Sequence, residues 1–298
     1  MNLEAKNAIM GRLQSLQQMP SIPASLYPLL KYMEQPAEKV SIQKIVDLIS
    51  GDGSLAAQCL RFANSPLYGR SKDIDTIRGA VMALGLRRMQ NIATSCCVLK
   101  ILPLDRTEID PLVFWEHSLG CALLCRHFAK SINFDNPEKA YLAGLLHDLG
   151  IVVNVWVLPK EFAAAVELAR KREIPIHEAE AESMGITHCE TGKILAEKWK
   201  FGPDLREVMG YHHDPAHAHD YRSLVALVSL TDLLCRMRGL GHGFTEVREI
   251  DFLEEPGLAV LKTECPELQK FDWARFTFEL ESHMEEVHQL VNMVYRAA

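Results

Sequence analysis

The sequence predicts an all-α protein, and three observations support this fold class. Apolar residues recur at helical spacing, no convincing run alternates polar and apolar residues, and proline and glycine divide the chain into helix-sized segments. The clearest example is the i, i+3, i+4, i+7 series of Ile42, Ile45, Val46 and Ile49, which follows Ser41 as a predicted N-cap. We therefore expect helices without a sheet.

Breaks between helices are predicted where Pro and Gly cluster. They fall at residues 19–28, 64–69, 101–111, 157–161 and 173–176. The stretch from Pro103 to Pro111 is the strongest candidate for a boundary between two lobes. We predict an N-terminal helical lobe over residues 1–106 and a second helical lobe, with a C-terminal helical extension, over residues 107–298.

Composition places the chain among ordinary globular proteins. It has 298 residues, of which 48% are hydrophobic and 24% charged, enough to bury a sizeable core. The first residues, MNLEAKNAIM, do not resemble a secretory signal, and no apolar run suggests a membrane anchor. We expect a cytoplasmic protein with no membrane association.

Charge and cysteine usage exclude two further classes. The net charge of −7 disfavours a protein that coats nucleic acid, because such binding relies on Lys and Arg at phosphates. The eight cysteines form no paired C-x-x-C clusters of the kind that hold structural zinc. We expect them to be reduced and mostly buried.

Seven histidine and aspartate residues lie on helix faces or at helix ends that we predict to point inward. His117 shares a face with Val113 and Cys121, and Asp232 falls on an apolar stripe with Val228. In GLLHDLG, His147 and Asp148 fall within a predicted buried helix. In ITHCETGKILAEKW, Thr187 and Glu190 have the spacing of a capping box, which puts His188 in the first turn of a helix, and GYHHDP places His212 and His213 at a predicted helix end. The seven residues are His117, His147, Asp148, His188, His212, His213 and Asp232.

Each residue alone has a simpler interpretation. A single inward histidine is more often a core residue bonded to a backbone carbonyl, and Asp232 could cap a helix or pair with Arg236. Seven such groups are harder to explain separately, because each buried polar group needs a partner. A shared divalent cation would satisfy all of them, so we favour a metal site.

The residue types also indicate the metal. Five histidines and two aspartates are too many ligands for one tetrahedral zinc and suit two octahedral ions such as iron, manganese, nickel or cobalt. We predict that Asp148 bridges the two ions, since it adjoins His147. Paired ions of this kind can generate hydroxide and stabilise a phosphoryl group, which makes phosphoester hydrolysis available.

At this point the sequence resembles a known superfamily. The order His117, His147-Asp148, His188, His212-His213, Asp232 is similar to that of HD-type metal-dependent phosphohydrolases, including the HD-GYP branch that hydrolyses cyclic dinucleotides. More specifically, residues 19–215 resemble the HDOD family of bacterial signalling output domains. The motifs that carry this likeness are MPSIPASLYPLL, LRFANSPLYG, IDTIRGAVMALGLRRMQNIA, AGLLHDLG and ESMGITHCETGKILAEKW.

The resemblance implies an N-terminal helical lobe packed on an HD-like lobe, with residues 216–298 supplying Asp232. HDOD domains usually resemble HD domains that have lost metal ligands and act as regulatory modules, whereas this chain retains the ligand series. It differs from HD-GYP enzymes as well. Ile151 replaces their motif lysine, which could steady a substrate phosphate, and HHDPAHAHDY replaces the Gly-Tyr-Pro segment.

Two function classes follow. The one we favour is a regulatory HDOD module that passes a signal to partner signalling proteins and retains the metal pair as a structural or sensing element. The alternative is a metal-dependent phosphohydrolase that acts on a nucleotide, a cyclic dinucleotide or another phosphoester, with Asp148 as the best candidate for a catalytic residue. A nucleotide or phosphate ligand would fit either class.

Overall fold

The structure is a computed structural model. It describes residues 9, 11–13, 21–35, 39–68, 74–99, 101, 109–243, 246 and 250–295. Helices account for 76% of it, and the described residues contain no strand, which confirms the all-α prediction.

Two compact units divide the chain, and both are discontinuous in sequence. The smaller unit combines Ile22–Leu102 with Phe278–Ala298, and the larger combines Met1–Ser21 with Pro103–Thr277. The boundary predicted at residue 106 follows sequence position alone, whereas the units change at Ile22, Pro103 and Phe278. The N-terminal segment belongs with the larger unit, where Arg12 binds the carboxylate of Glu161 and the carbonyl of Val157.

Five complete helices lie among the described residues of the smaller unit. They are α1 (Leu26–Met33), α2 (Ile42–Ser50), α3 (Gly53–Ala63), α4 (Ile77–Leu84) and α5 (Leu86–Val98). The aspartate side chain of Asp52 caps α3, and the Thr76 hydroxyl caps α4. Gly85, at φ +90°, ends α4 and begins α5.

The predicted stripe of α2 is buried at three of its four positions. Ile45, Val46 and Ile49 are buried, whereas Ile42, in the first turn, is 39% exposed. Ser41 precedes the helix as predicted, but its side chain makes no capping hydrogen bond. The apolar periodicity therefore identified the helix and its core face, but not the contacts of its first turn.

The larger unit contains all seven predicted ligands. Its helices are α6 (Pro111–Ser131), α7 (Pro137–Leu146), α8 (Leu149–Val157), α9 (Pro159–Arg172), α10 (Ile176–Ser183), α11 (His188–Lys198), α12 (Pro203–Tyr211), α13 (Arg222–Met237) and α14 (Pro256–Glu264). The last helix, α15 (Trp273–Tyr295), begins in the larger unit and continues into the smaller one from Phe278.

The segment Pro137–Val157 is apolar and long enough to cross a membrane by length and composition. However, 94% of its most apolar window is buried inside the protein. It is also not one continuous helix, because α7 ends at Leu146 and α8 begins at Leu149. This segment therefore forms the core of the larger unit, and His147 and Asp148 lie in the turn at its centre.

Two glycines allow close helix packing around that turn. A Cβ at Gly144 would lie 2.8 Å from the carbonyl oxygen of Cys121, so only glycine lets α7 approach α6 this closely. A Cβ at Gly150 would lie 1.8 Å from the carbonyl oxygen of His188. The backbone of α8 is thereby held directly against the start of α11, which fixes the position of His188 relative to Asp148.

Candidate metal centre

All seven residues predicted as ligands lie together in one cluster within the larger unit. Six of them are at most 1% exposed, and the side chain of His213 is 11% exposed. They come from five places: α6, the turn between α7 and α8, the start of α11, the end of α12, and α13. The cluster consists of His117, His147, Asp148, His188, His212, His213 and Asp232.

Asp148 lies at the middle of the cluster and directs one oxygen to each side. Its Oδ2 atom is 3.3 Å from His117 Nε2 and 3.2 Å from His147 Nε2. Its Oδ1 atom is 3.3 Å from both His188 Nε2 and His212 Nε2, and accepts no hydrogen bond although it is buried. This arrangement is the one that a bridging carboxylate requires.

On the first side of Asp148, the histidines present their Nε2 atoms to each other. His117 Nε2 lies 3.3 Å from His147 Nε2 and 3.3 Å from Asp232 Oδ1. The Nδ1 atoms of the two rings bond to the carbonyls of Leu240, at 2.7 Å, and Gly144, at 2.8 Å. Because a carbonyl only accepts, each Nδ1 carries a proton, and in a neutral ring Nε2 is left with a lone pair.

The second side has the same organisation. His188 Nε2 lies 3.3 Å from His212 Nε2 and 3.1 Å from His213 Nε2. The Nδ1 atom of His212 bonds to the carbonyl of Val208 at 3.1 Å, and that of His188 to the carboxylate of Glu180 at 2.7 Å. Here too the Nε2 atoms are left to face one another.

Lone pairs that face each other in a buried core repel unless a cation lies between them. Adjacent ligands of an octahedral ion with bonds of about 2.1 Å are about 3 Å apart, close to the 3.1–3.3 Å between the Nε2 atoms. Each Nδ1–H that donates to a carbonyl or carboxylate also fixes its ring as metal-binding histidines require. The residues present therefore fit divalent ions on both sides of Asp148.

The electrostatics keep both carboxylates ionised. Burial alone would raise the pKa of Asp148, but the adjacent His147 and the other imidazoles around the carboxylate hold it well below its usual value. Burial likewise opposes ionisation of Asp232, but Arg236 holds its pKa well below normal. The guanidinium contacts both carboxylate oxygens at 3.1 Å. Asp232 thus pairs with Arg236, as the simpler interpretation expected, and also faces His117.

Burial acts on the histidines in the opposite sense. It lowers the pKa of His147 and of His213, which favours the neutral rings that bind metals. For His212, burial also opposes the charge, but the neighbouring Cys189 and Asp148 raise its pKa to about 10. When no metal ion is bound, a proton on His212 therefore offsets part of the negative charge of the carboxylates.

Glu180 was missed in the sequence analysis. Its buried carboxylate accepts from the backbone N–H of His188 at 2.8 Å as well as from its ring, and Asn154 Nδ2 donates to its other oxygen at 2.8 Å. Its spacing of four from Ile176, which is buried, would have placed it on the core face of α10. This carboxylate fixes the orientation of His188.

Three further groups at the cluster were not predicted as ligands. His242 Nε2 lies 3.0 Å from Asp148 Oδ2. The thiol of Cys121 is 3.6 Å from His117 Nε2, and that of Cys189 is 3.8 Å from His212 Nδ1. The cysteines are buried, as predicted, yet each also belongs to a group of potential ligands whose atoms all lie within 4.8 Å of one another.

Comparisons with known proteins agree with this architecture. An HDOD protein of unknown function from Geobacter sulfurreducens superposes with a TM-score of 0.84, is 29% identical, and matches over 99% of both chains. A proposed phosphohydrolase of Shewanella amazonensis SB2B shares the fold at 22% identity, with a TM-score of 0.73 over 96% of this chain and 98% of that one.

A curated relative from Treponema pallidum (strain Nichols) is described as uncharacterized. It is 28% identical over 220 residues, which make up 73% of this chain and 42% of that protein. The chain therefore matches less than half the length of this relative. The model of the HDOD domain matches residues 19–215. The chain belongs to the HDOD family.

Proposed function

We propose that this chain is a regulatory HDOD module that holds two divalent transition-metal ions as a buried structural or sensing element. The observation that carries the proposal is the convergence of the other six predicted ligands around Asp148, with one carboxylate oxygen facing each set of histidines. His117, His147 and Asp232 would hold one ion, and His188, His212 and His213 the other. Iron, manganese, nickel and cobalt suit this ligand set better than zinc.

Burial favours a regulatory role over a catalytic one. Among the seven ligands only His213 has a side chain that reaches 11% exposure, and its ring is stacked on His177 with 3.9 Å between the ring centroids. The guanidinium of Arg236 is already held by Asp232 and Glu246. It is therefore not a free cationic anchor for a substrate phosphate.

Hydrolysis is the second candidate, and the completeness of the ligand set supports it. Two bound divalent ions would supply an activated water and neutralise charge on a phosphoester. In that case Asp148 would hold both ions, and Asp232 would complete the site that contains His117 and His147. A nucleotide or another phosphoester would be the substrate.

A phosphoesterase assay separates the two functions. Protein loaded with Mn²⁺, Fe²⁺ or Co²⁺ is tested on bis(p-nitrophenyl) phosphate and on cyclic dinucleotides, beside Asp148→Asn as a control. The regulatory proposal expects no turnover above that of the control. Turnover that Asp148→Asn abolishes while it keeps its helical content would establish the hydrolase instead.

A signalling role also makes a positive prediction. We propose that separate signalling proteins bind the module and respond to its metal state. Metal loading should then change the conformation or stability of parts of the chain other than the ligands. Hydrogen exchange of metal-loaded and chelated protein would measure this. A change in protection within Ile22–Leu102 supports the proposal, whereas changes confined to the ligand-bearing helices would argue for a purely local structural role.

A further inference from the structure

The loop that follows α13 reaches the metal centre at two points. This loop, residues 239–243 with the sequence Gly-Leu-Gly-His-Gly, presents the Leu240 carbonyl to His117 Nδ1 at 2.7 Å. Two residues later, His242 places its Nε2 atom 3.0 Å from Asp148 Oδ2, and only 2% of the residue is exposed. One short segment therefore orients a predicted ligand and adds a further imidazole.

The glycines at both ends explain how the loop can make this approach. Gly239 and Gly243 have φ angles of +83° and +84°, which side chains with a Cβ rarely adopt. The backbone turns at both ends of the loop and directs the intervening His242 into the core. The segment is thus built to bring a histidine to this position.

The spacing around His242 matches that of the predicted ligands. Asp148 Oδ2 is 3.0 Å from His242 Nε2, compared with 3.3 Å from His117 Nε2 and 3.2 Å from His147 Nε2. The rings of His117 and His242 have centroids 4.7 Å apart. Ligand atoms of His117, Asp148 and His242 all lie within 4.8 Å of one another.

We propose that His242 is an additional metal ligand, and that it occupies a coordination position on the His117 side of Asp148. This inference rests on the proposed metal centre. With His242, this side offers five nitrogen or oxygen ligands, from His117, His147, Asp148, Asp232 and His242. The other side offers four, from His188, His212, His213 and Asp148.

The unequal number of protein ligands leaves the two ions with different numbers of open coordination positions. An octahedral ion with five protein ligands retains one position, whereas an ion with four retains two. A small external ligand, such as an anion, would then bind on the His213 side, which also has the one partly exposed ligand. His242 would leave the first ion a single open position, so an external ligand would have more room at the second ion.

Cobalt provides the test, because its visible absorption reports coordination number. Purified protein is chelated, titrated with Co²⁺, and compared with His242→Ala, His242→Gln and His217→Ala. The glutamine variant retains an N–H that can donate to Asp148 but is a poor metal ligand. His217 is a matched control, since its side chain is 78% exposed in the short 3-10 helix Pro215–His217 that precedes α13.

We expect both His242 variants to bind one of two Co²⁺ ions at least about tenfold more weakly. Their absorption bands should intensify as that ion loses a ligand, and His217→Ala should match the wild type. Two results would overturn the ligand assignment: spectra unchanged in both variants, or recovery of the wild-type spectrum by His242→Gln, since His242 would then only position Asp148. Circular dichroism verifies that each variant is folded. If the wild-type protein binds neither Co²⁺ nor Fe²⁺, Mn²⁺ or Ni²⁺, the proposed metal centre itself fails.

Discussion

Replacing Gly150 with alanine tests the link between helix packing and the metal centre. The added Cβ would lie 1.8 Å from the carbonyl oxygen of His188, 2.7 Å from its carbonyl carbon and 2.8 Å from the backbone nitrogen of Gly192. An unstrained contact between carbon and oxygen is about 3.3 Å, so α8 and α11 must separate by about 1.5 Å. Backbone on both sides leaves no flexible side chain to give way.

The magnitude follows from two opposing effects. Overpacking costs about 3 kcal/mol or more when backbone must move, and the better helix propensity of alanine returns about 1 kcal/mol. We expect a net loss of about 2 kcal/mol or more in the free energy of unfolding. For a unit of this size, that lowers the melting temperature by about 4–8 °C.

Thermal unfolding in the presence of a chelator, followed by far-UV circular dichroism, measures this effect without metal. The control is Gly210→Ala, because a Cβ at Gly210 meets only the side chain of Lys193, at 3.4 Å. Once metal is added, Gly150→Ala should also bind it more weakly, since His188 is displaced from Asp148. A melting temperature for Gly150→Ala equal to that of Gly210→Ala would refute the packing argument.

The remaining predictions concern the groups that support the ligands. Glu180→Gln should weaken metal binding about 10- to 100-fold, because His188 loses its carboxylate partner. Isothermal titration beside the exposed Glu178→Gln checks this, and equal affinities would contradict it. Stability should also depend on pH, since the folded-state pKa of Asp232 is lowered. Its stabilising contribution is complete above the unfolded pKa of about 3.9 and is lost as the pH falls through the folded value. Asp232→Asn should therefore destabilise chelated protein most at neutral pH, and less as the pH falls below about 4. A penalty that does not change with pH in melting curves would count against the ionised pair.

Helical periodicity correctly predicted the inward direction of those ligands that lie on helices. The capping box at Thr187 and Glu190 correctly placed His188 in the first turn of α11, and the apolar stripe of α13 placed Asp232 in the core. His147 and Asp148 were expected inside a buried helix, yet they occupy the turn between two helices. Their inward direction could be predicted because the apolar residues on both sides had to be buried.

Groups outside regular periodicity were missed. His242 and the Leu240 carbonyl lie in a glycine-rich loop, where no repeat indicates which side chain points inward. A sequence pattern cannot indicate discontinuous units for a similar reason, since Arg12 and Glu161 are distant in sequence and no local pattern connects them. Tertiary contacts of this kind are set by the complete fold.

Metal content shows whether this chain holds two ions. Untagged protein, purified without added metal, is measured by inductively coupled plasma mass spectrometry beside His147→Ala and the exposed-histidine control His217→Ala. We predict about two transition-metal ions per chain in the wild type and in His217→Ala, and loss of metal in His147→Ala. A folded wild-type protein that contains no metal, and takes up none when Fe²⁺, Mn²⁺, Ni²⁺ or Co²⁺ is supplied, would contradict the account.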